Sequence, residues 1–119
     1  MAKKLILIVD DNAELLDALQ DVLGDEYNLA FAANGREALE KFQACTPAAV
    51  LMDYKMPGMD GLETLRHLRH QTKTVPVIIM SAYDEMVLEQ DVMAAGANRY
   101  ISKPFELSTV RSALAELAV

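Results

Sequence analysis

Apolar residues fall into five short runs that are separated by longer, mixed segments. The runs are LILIV (5–9), YNLAFA (27–32), AAVLM (48–52), VPVIIM (75–80) and RYIS (99–102). Four of the five contain few polar residues, which is typical of parallel strands buried on both faces. The pattern therefore predicts five β-strands, most of them inside the molecule.

The segments between the runs carry apolar residues at helical spacing. They predict helices over 13–23, 36–44, 61–70, 85–95 and 106–118. Gly24 and Gly96 suit helix ends, and Asp60 and Asp84 suit N-caps. Strand and helix alternate throughout, so we predict an α/β fold, a flavodoxin-like (βα)5 three-layer sandwich whose parallel sheet has the order 2-1-3-4-5.

Length and charge narrow the class of protein. The 119 residues fit one domain over 1–119, with no effector domain. A net charge of −7 argues against nucleic acid as a direct ligand and tolerates divalent cations. Cys45 is the one cysteine of the sequence, which excludes an internal disulfide. No run approaches the roughly 18 apolar residues that span a bilayer, and no signal peptide is evident, so we expect a cytoplasmic protein without a membrane partner.

Polar side chains follow four of the five predicted strands. Asp10 and Asp11 come after the first strand and Asp53 after the third. Ser81 and Lys103 come after the fourth and the fifth. In open parallel sheets the ligand site lies at the carboxyl ends of the strands. We therefore expect three carboxylates, a hydroxyl and an ammonium group to meet at one edge.

The combination indicates phosphoryl transfer. Clustered carboxylates repel one another, and a hard cation such as Mg²⁺ relieves that repulsion. A metal ion, a lysine and a hydroxyl can neutralise a transferred phosphoryl group, and a carboxylate can attack it to form an aspartyl phosphate. Asp53, alone on the central strand, is the predicted nucleophile, and Asp10 and Asp11 are predicted metal ligands. The competing interpretation is that each aspartate only forms a turn or caps a helix.

At these residues the sequence resembles the receiver domain of bacterial two-component response regulators. The matching stretches are LILIVDDN, AAVLMDYKMPGMDGLETL, VPVIIMSA and GANRYISKPF, which together extend over most of the chain. Among receivers, the chain looks most like stand-alone ones such as the sporulation phosphorelay intermediate.

The resemblance implies a role for each polar residue at the strand ends. Asp53 would accept a phosphoryl group from a phosphohistidine of a sensor histidine kinase. Asp10, Asp11, Asp53 and the backbone carbonyl of Lys55 would hold Mg²⁺, with Mn²⁺ as a substitute. Receivers catalyse their own phosphorylation and dephosphorylation but serve mainly as signalling switches.

The resemblance also implies a switch. Ser81 would donate to a phosphoryl oxygen, and Lys103 would pair first with Asp53 and then with the phosphoryl group. Tyr100 would rotate inward as Ser81 moves, and the peptide bond Lys103-Pro104 would be cis. The change would reshape the face formed by the fourth helix, the fifth strand and the fifth helix.

Two positions near the acceptor bear on how long the phosphate persists. Lys55 lies two residues after Asp53, and Tyr83 lies two residues after Ser81. A long cation and a large ring can obstruct the attacking water, so we hypothesise slow dephosphorylation and onward transfer to a histidine phosphotransferase. The alternative is that both are simply exposed loop residues.

A partner face is predicted around the start of the first helix and on the fourth helix. Its residues are Asn12, Glu14, Leu15, Met86, Met93 and Pro104. Exposed methionines suit adaptable contacts. The alternatives are an ordinary helix start and methionines tucked under neighbouring side chains. We expect a monomer or a weak phosphorylation-dependent dimer.

Three other classes of protein remain open. The chain would have the same fold if it were a receiver module from a larger transcription factor or hybrid kinase. A flavodoxin-like mononucleotide binder needs small residues after the first strand, where Asp10-Asp11-Asn12 stands. A phosphatase with an aspartate nucleophile needs a second acid two residues later, where Lys55 stands.

Overall fold

A computed structural model of the chain describes residues 3–82 and 89–119. Its five strands are all parallel and form one sheet in the order β2-β1-β3-β4-β5. The elements in chain order are β1 (Lys4–Val9), α1 (Ala13–Leu23), β2 (Tyr27–Ala32), α2 (Gly35–Cys45), β3 (Ala49–Asp53), α3 (Gly61–Gln71), β4 (Val77–Ala82), α4 (Glu89–Ala94), β5 (Arg99–Lys103) and α5 (Leu107–Glu116). This is the predicted flavodoxin-like three-layer sandwich.

The strands bury apolar side chains on both faces of the sheet. In β1, Ile6 and Ile8 point into one cluster, which α1 and α5 cover, and Leu7 and Val9 point into the other, which α2, α3 and α4 cover. All four side chains are at most 1% exposed. Each buried aliphatic side chain of this size stabilises the fold by roughly 1.5–3 kcal/mol. Burial on both faces explains why the runs lack the alternation of a half-exposed strand.

The predicted boundaries hold to within two residues in most elements. Strand β4 begins at Val77, two residues later than predicted, because Pro76 has no N–H to give to a ladder. Helix α1 ends at Leu23 as predicted, but Gly24 there keeps a right-handed backbone (φ −62°), so its glycine freedom is not used. Gly96 after α4 does take a positive φ of 112°. The predicted helical residues 85–88 and the predicted cap Asp84 lie outside the described residues.

Three helices begin at capping side chains on the carboxyl edge of the sheet. Asn12 accepts from the N–H groups of Glu14 and Leu15 at the start of α1. Asn34 does the same for α2, and Asp60 does so for α3, as its position predicts. A cap of this kind is worth about 1 kcal/mol. The caps fix where the loops above the strand ends turn into helices.

Strand register brings the ends of β1, β3, β4 and β5 to the same edge. Val9 pairs with Met52, so Asp10 and Asp53 follow side by side. Asp53 pairs with Met80 on its other side. Lys103 pairs with Ala82 and therefore lies two residues further along the edge than Asp53, a distance that the long lysine side chain can span.

Among the described residues, no helix is both long and apolar enough to cross a bilayer.

Candidate functional site

Three carboxylates converge at the carboxyl edge of β1 and β3. One oxygen from each of Asp10, Asp11 and Asp53 lies within 4.8 Å of the others. Asp10 and Asp53 are buried, and Asp11 is exposed at the mouth of a cleft of about 460 Å³. The structure thus confirms that the predicted acidic residues meet. Three negative charges this close require positive charge beside them.

Lys103 supplies part of that charge. Its Nζ lies 3.1 Å from Oδ1 of Asp53 and 3.3 Å from Oδ2 of Asp10, and its side chain is 25% exposed. Burial lowers the pKa of the Lys103 ammonium, but the attraction of Asp53 and Asp10 outweighs burial, and the pKa lies above its ordinary value. The ammonium therefore stays charged at neutral pH and bridges the two buried carboxylates.

The two oxygens of Asp10 have different partners. Oδ1 accepts from the backbone N–H of Asn12 at 2.9 Å, while Oδ2 faces Lys103. Asn12 in turn caps α1, so the start of that helix and the orientation of Asp10 are fixed together. The sequence pointed to Asn12 only as a partner residue. Its position directly after the acidic pair is the sequence signal that its backbone N–H can hold the Asp10 carboxylate in place.

The loop between β3 and α3 forms one wall of the cleft. Lys55, Met56 and Pro57 line it, with Lys55 exposed and Met56 buried. The loop is closed at its base, because the N–H of Gly61 donates to the carbonyl of Tyr54 at 2.7 Å. Sequence reasoning identified Lys55 but missed the other two lining residues and the closure. The Pro57-Gly58 turn shows where the chain reverses but not which side chains face the acids.

The remaining predicted features are Ser81, Tyr100 and the peptide bond before Pro104. Ser81 is fully buried, with its Oγ 3.4 Å from the carbonyl of Ala82, and is not among the described residues that line the cleft. Tyr100 is half-buried and packs against the cluster beneath α2, α3 and α4. The peptide bond Lys103-Pro104 is cis, as predicted.

The residues of the predicted partner face divide into three groups. Asn12, Glu14 and Pro104 are exposed and Leu15 is half-buried, and of these four Asn12 lines the cleft. Met93 is 41% exposed on α4. Tyr83, which was predicted to influence the phosphate, and Met86 lie outside the described residues.

An apolar groove adjoins the acidic cleft. It has a volume of about 510 Å³ and shares two lining residues with the cleft, Asn12 and Lys103. Its other described lining residues are Leu15, Ala82, Pro104, Phe105 and Leu107. A partner that reaches the acids from this side therefore meets a continuous surface that is charged at one end and apolar at the other.

This geometry has a definite chemical capacity. The Asp53 carboxylate lies at the end of β3 and lines a cleft that also holds two other carboxylates and the lysines Lys55 and Lys103. A carboxylate in such a place can act as a nucleophile. Oxygen ligands at this spacing suit a hard divalent cation, and cation and lysine together can neutralise a phosphoryl group during transfer. The acidic loop after β1 disfavours phosphate by itself, which argues against a mononucleotide site.

Comparison with known protein families gives an independent assignment. Residues 6–115 match the model of the response regulator receiver domain. Sporulation initiation phosphotransferase F of Bacillus subtilis is 38% identical over 115 residues, which cover 96% of this chain and 93% of that protein. Regulatory protein AtoC of Escherichia coli is 41% identical over 104 residues, which cover 86% of this chain but 22% of that protein.

A solved structure agrees with these sequence relatives. Chemotaxis protein CheY4 of Vibrio cholerae superposes with a TM-score of 0.89 at 30% identity, over 98% of this chain and 99% of that one. The likeness extends over all layers of the fold and over the strand ends that carry the acids.

Proposed function

Because the chain belongs to the response regulator receiver domains, the phosphoacceptor modules of two-component signalling, we propose that Asp53 accepts the phosphoryl group from a partner's phosphohistidine. The observation that carries the assignment to this residue is the position of its carboxylate. Asp53 ends the central strand inside the acidic cleft, with the Lys103 ammonium 3.1 Å from its Oδ1. Asp10 and Asp11 lie beside it rather than on the central strand.

Receiver domains bind Mg²⁺ at an acidic pocket, and the residues of this cleft fit such an ion. Asp10, Asp11, Asp53 and the backbone carbonyl of Lys55 would hold it. Three carboxylates against the two lysines Lys55 and Lys103 leave the cleft lining with one excess negative charge, which favours the binding of a cation. When bound, the ion withdraws charge from the phosphoryl oxygens during transfer. Mn²⁺ offers similar oxygen chemistry and would serve in its place.

The bonds that form and break in the transfer belong to this chain and the donor. A carboxylate oxygen of Asp53 forms a bond to phosphorus as the bond from phosphorus to the donor's imidazole nitrogen breaks. The imidazole leaves with that electron pair. Lys103 follows the negative charge from the carboxylate to the phosphoryl oxygens, over a distance its flexible side chain spans. Ser81, one residue beyond the strand partner of Asp53, would turn its hydroxyl to a phosphoryl oxygen.

The phosphoryl group would then act as a switch. It adds negative charge and strong acceptors, which attract Ser81 and Lys103 in one loop arrangement more than in the other. Tyr100 would move inward with Ser81, because Ser81 lies in β4 and Tyr100 lies in the neighbouring strand β5. The changed surface would be that of α4, β5 and α5.

The partners implied by the family are histidine kinases or phosphotransferases. Their docking face would comprise Asn12, Glu14, Leu15 and Pro104. Asn12 lines both the cleft and the apolar groove, Leu15 and Pro104 line the groove, and Glu14 is exposed at the start of α1. The exposed Met93 would extend contacts to α4, and Met86 would join it. A groove continuous with the reacting carboxylate lets a helical partner bring its histidine to Asp53 while burying apolar surface.

Within this family we favour a stand-alone phosphorelay intermediate. Support comes from the share of each relative that the match covers. It covers 93% of Sporulation initiation phosphotransferase F but 22% of Regulatory protein AtoC. On this proposal the protein is cytoplasmic, does not bind nucleic acid directly and is a monomer or a weak phosphorylation-dependent dimer. The alternative is a receiver module of a larger regulator.

The test is an intact-mass time course with Mg²⁺ and either acetyl phosphate or a phosphorylated histidine kinase. The unaltered chain should gain one phosphoryl group, and Asp53→Asn should gain none. Asp60→Asn is the matched control, because Asp60 caps α3 outside the acidic cluster, and it should be phosphorylated normally. A phosphoryl adduct on Asp53→Asn, or none on the unaltered chain with both donors, would overturn the proposal.

A further inference from the structure

Helix α3 begins unusually close to the acceptor strand. A Cβ atom placed on Gly61 would lie 2.6 Å from the carbonyl oxygen of Asp53 and 2.8 Å from the Cα of Tyr54. Both atoms belong to the backbone, so neither can rotate away as a side chain would. Real Cβ contacts are essentially never this short. Any other residue at position 61 therefore requires the helix start or the Asp53–Tyr54 peptide to shift.

The same contact holds the loop that lines the cleft. The N–H of Gly61 donates to the carbonyl of Tyr54 at 2.7 Å, and the N–H of Tyr54 donates to Met80 of β4 at 2.7 Å. Between these anchor points the chain carries Lys55 and Met56 along the cleft wall. A displacement at Gly61 therefore moves the acceptor's own peptide and the lining loop together.

We propose that Gly61 is a positioning residue for phosphoryl acceptance, an inference that rests on the proposed role of Asp53. The absent side chain lets α3 seat directly against the Asp53–Tyr54 peptide. This close packing fixes the position of the Asp53 carboxylate relative to Asp10, Asp11 and Lys103. It also sets the position of the Lys55 carbonyl. Misplacing a reacting group by about 1 Å can cost on the order of a hundredfold in rate.

The test compares Gly61→Ala with Gly24→Ala. Gly24 is a fair control, because a Cβ there would lie 2.5 Å from the carbonyl of Gln20, also a backbone atom, but at the far end of α1. For each protein we would measure the maximal phosphorylation rate with acetyl phosphate, the half-saturating donor concentration, and the Mg²⁺ concentration that half-maximally raises the unfolding temperature.

Gly61→Ala should lower the maximal rate roughly ten- to hundredfold, with little change in the half-saturating donor concentration, and should weaken Mg²⁺ binding several-fold. Gly24→Ala should leave all three values close to those of the unaltered chain. A wild-type rate and Mg²⁺ dependence in folded Gly61→Ala would overturn the inference. If the unaltered chain itself is not phosphorylated, the proposed function fails instead, and the Mg²⁺ measurement still reports on Gly61.

If Gly61→Ala is unfolded in buffer, sucrose is added to favour the folded state. Refolding by sucrose but not by Mg²⁺ supports the inference, because the ion site is then impaired in a folded chain. Refolding by Mg²⁺ at the concentration that stabilises the unaltered chain contradicts it. Failure to fold in sucrose also contradicts it, since Gly61 would then be a requirement of the fold rather than of the site.

Discussion

The Nζ of Lys103 lies 3.1 Å from Oδ1 of Asp53, although the two residues are fifty positions apart in the chain and two strands apart in the sheet. The pair forms because β5 ends two residues further along the edge than β3 does, and the lysine side chain spans that offset. The ammonium thereby offsets part of the charge of Asp53 and Asp10, and on the proposed function it would lie beside the incoming phosphoryl group.

Replacing Lys103 should destabilise the fold in a pH-dependent way. Lys103→Met leaves Asp10 and Asp53 buried without their cation, which should cost about 1–3 kcal/mol at pH 7. Burial lowers the pKa of Lys103, but the two carboxylates raise it above the usual value of 10.5. A pKa raised by folding stabilises the protein fully below the unfolded value and loses that effect as pH rises through the folded value. The difference in unfolding free energy between the unaltered chain and Lys103→Met, measured with urea, should therefore become smaller above pH 10.5.

The ionisation of Tyr27 also affects stability at alkaline pH, and it does so equally in the unaltered chain and in Lys103→Met. Burial and the nearby Glu26 raise its pKa, so its ionisation also destabilises the fold at high pH. Only the difference between the unaltered chain and Lys103→Met isolates the lysine. Lys73→Met, at an exposed position, should differ little from the unaltered chain at any pH. If the unfolding free energy of Lys103→Met is lower than that of the unaltered chain by the same amount from pH 7 to well above 10.5, this account is contradicted.

Mg²⁺ should stabilise the folded chain. An ion that binds only the folded state adds about 2.7 kcal/mol at a concentration a hundred times its Kd. Asp11→Asn removes the exposed carboxylate of the cluster and should shift the half-maximal Mg²⁺ concentration upward several-fold in thermal unfolding. Asp17→Asn, exposed on α1, should retain the full response. An unchanged Mg²⁺ response in Asp11→Asn would show that the ion binds elsewhere.

Arg69 should be a main determinant of stability far from the cleft. Its guanidinium donates twice to the carbonyl of Gly96 (2.9 and 2.7 Å), once to Val75 (2.9 Å) and once to the side chain of Asn98 (3.1 Å). These bonds tie the end of α3 to the chain before β4 and β5. Arg69→Met should cost about 2–3 kcal/mol in urea unfolding.

Arg69→Lys should recover only part of this loss, because an ammonium lacks the planar fork that reaches three partners. The matched control is Arg66→Met, since Arg66 is exposed on the same helix and should change stability by no more than about 0.5 kcal/mol. Equal stabilities of the Arg69→Met and Arg66→Met variants would refute the role assigned to Arg69.

Lys55 should lengthen the life of the aspartyl phosphate. It is exposed on the wall of the cleft, where a long cation can obstruct the attacking water. Lys55→Ala should shorten the half-life of the phosphorylated protein several-fold after the donor is removed, as followed by intact mass. The parallel variant Tyr83→Ala tests the second predicted position. Half-lives unchanged in both variants would mean that these are ordinary loop residues.

The fold and the main site residues were accessible from the sequence for a physical reason. Strands buried on both faces give unbroken apolar runs, and the residue after each run must lie at the carboxyl edge. This reasoning brought Asp10, Asp53 and Lys103 together without structural information. It also located the cap Asp60, because an acidic side chain before a helical stripe has few other roles.

Contacts that depend on the path of a loop were not accessible in this way. The bond from the N–H of Asn12 to Oδ1 of Asp10 and the approach of Gly61 to the Asp53 peptide depend on where the loop backbone runs, which the residue types alone do not specify. The buried position of Ser81 likewise follows from the length of β4, which extends past the predicted end at Met80 to Ala82, rather than from its residue type. The multiple bonds of Arg69 arise where the end of α3 meets the connections before β4 and β5, and no periodic pattern marks that point.

The central claim is that Asp53 of the unaltered chain carries the phosphoryl group, and chemical mapping tests it most directly. The protein is phosphorylated with Mg²⁺ and acetyl phosphate, the acyl phosphate is reduced with borohydride, and the resulting homoserine is located by peptide mass spectrometry. Homoserine at position 53 is the predicted result. Homoserine at position 10 or 11, or phosphate retained on a residue other than Asp53, would contradict the account.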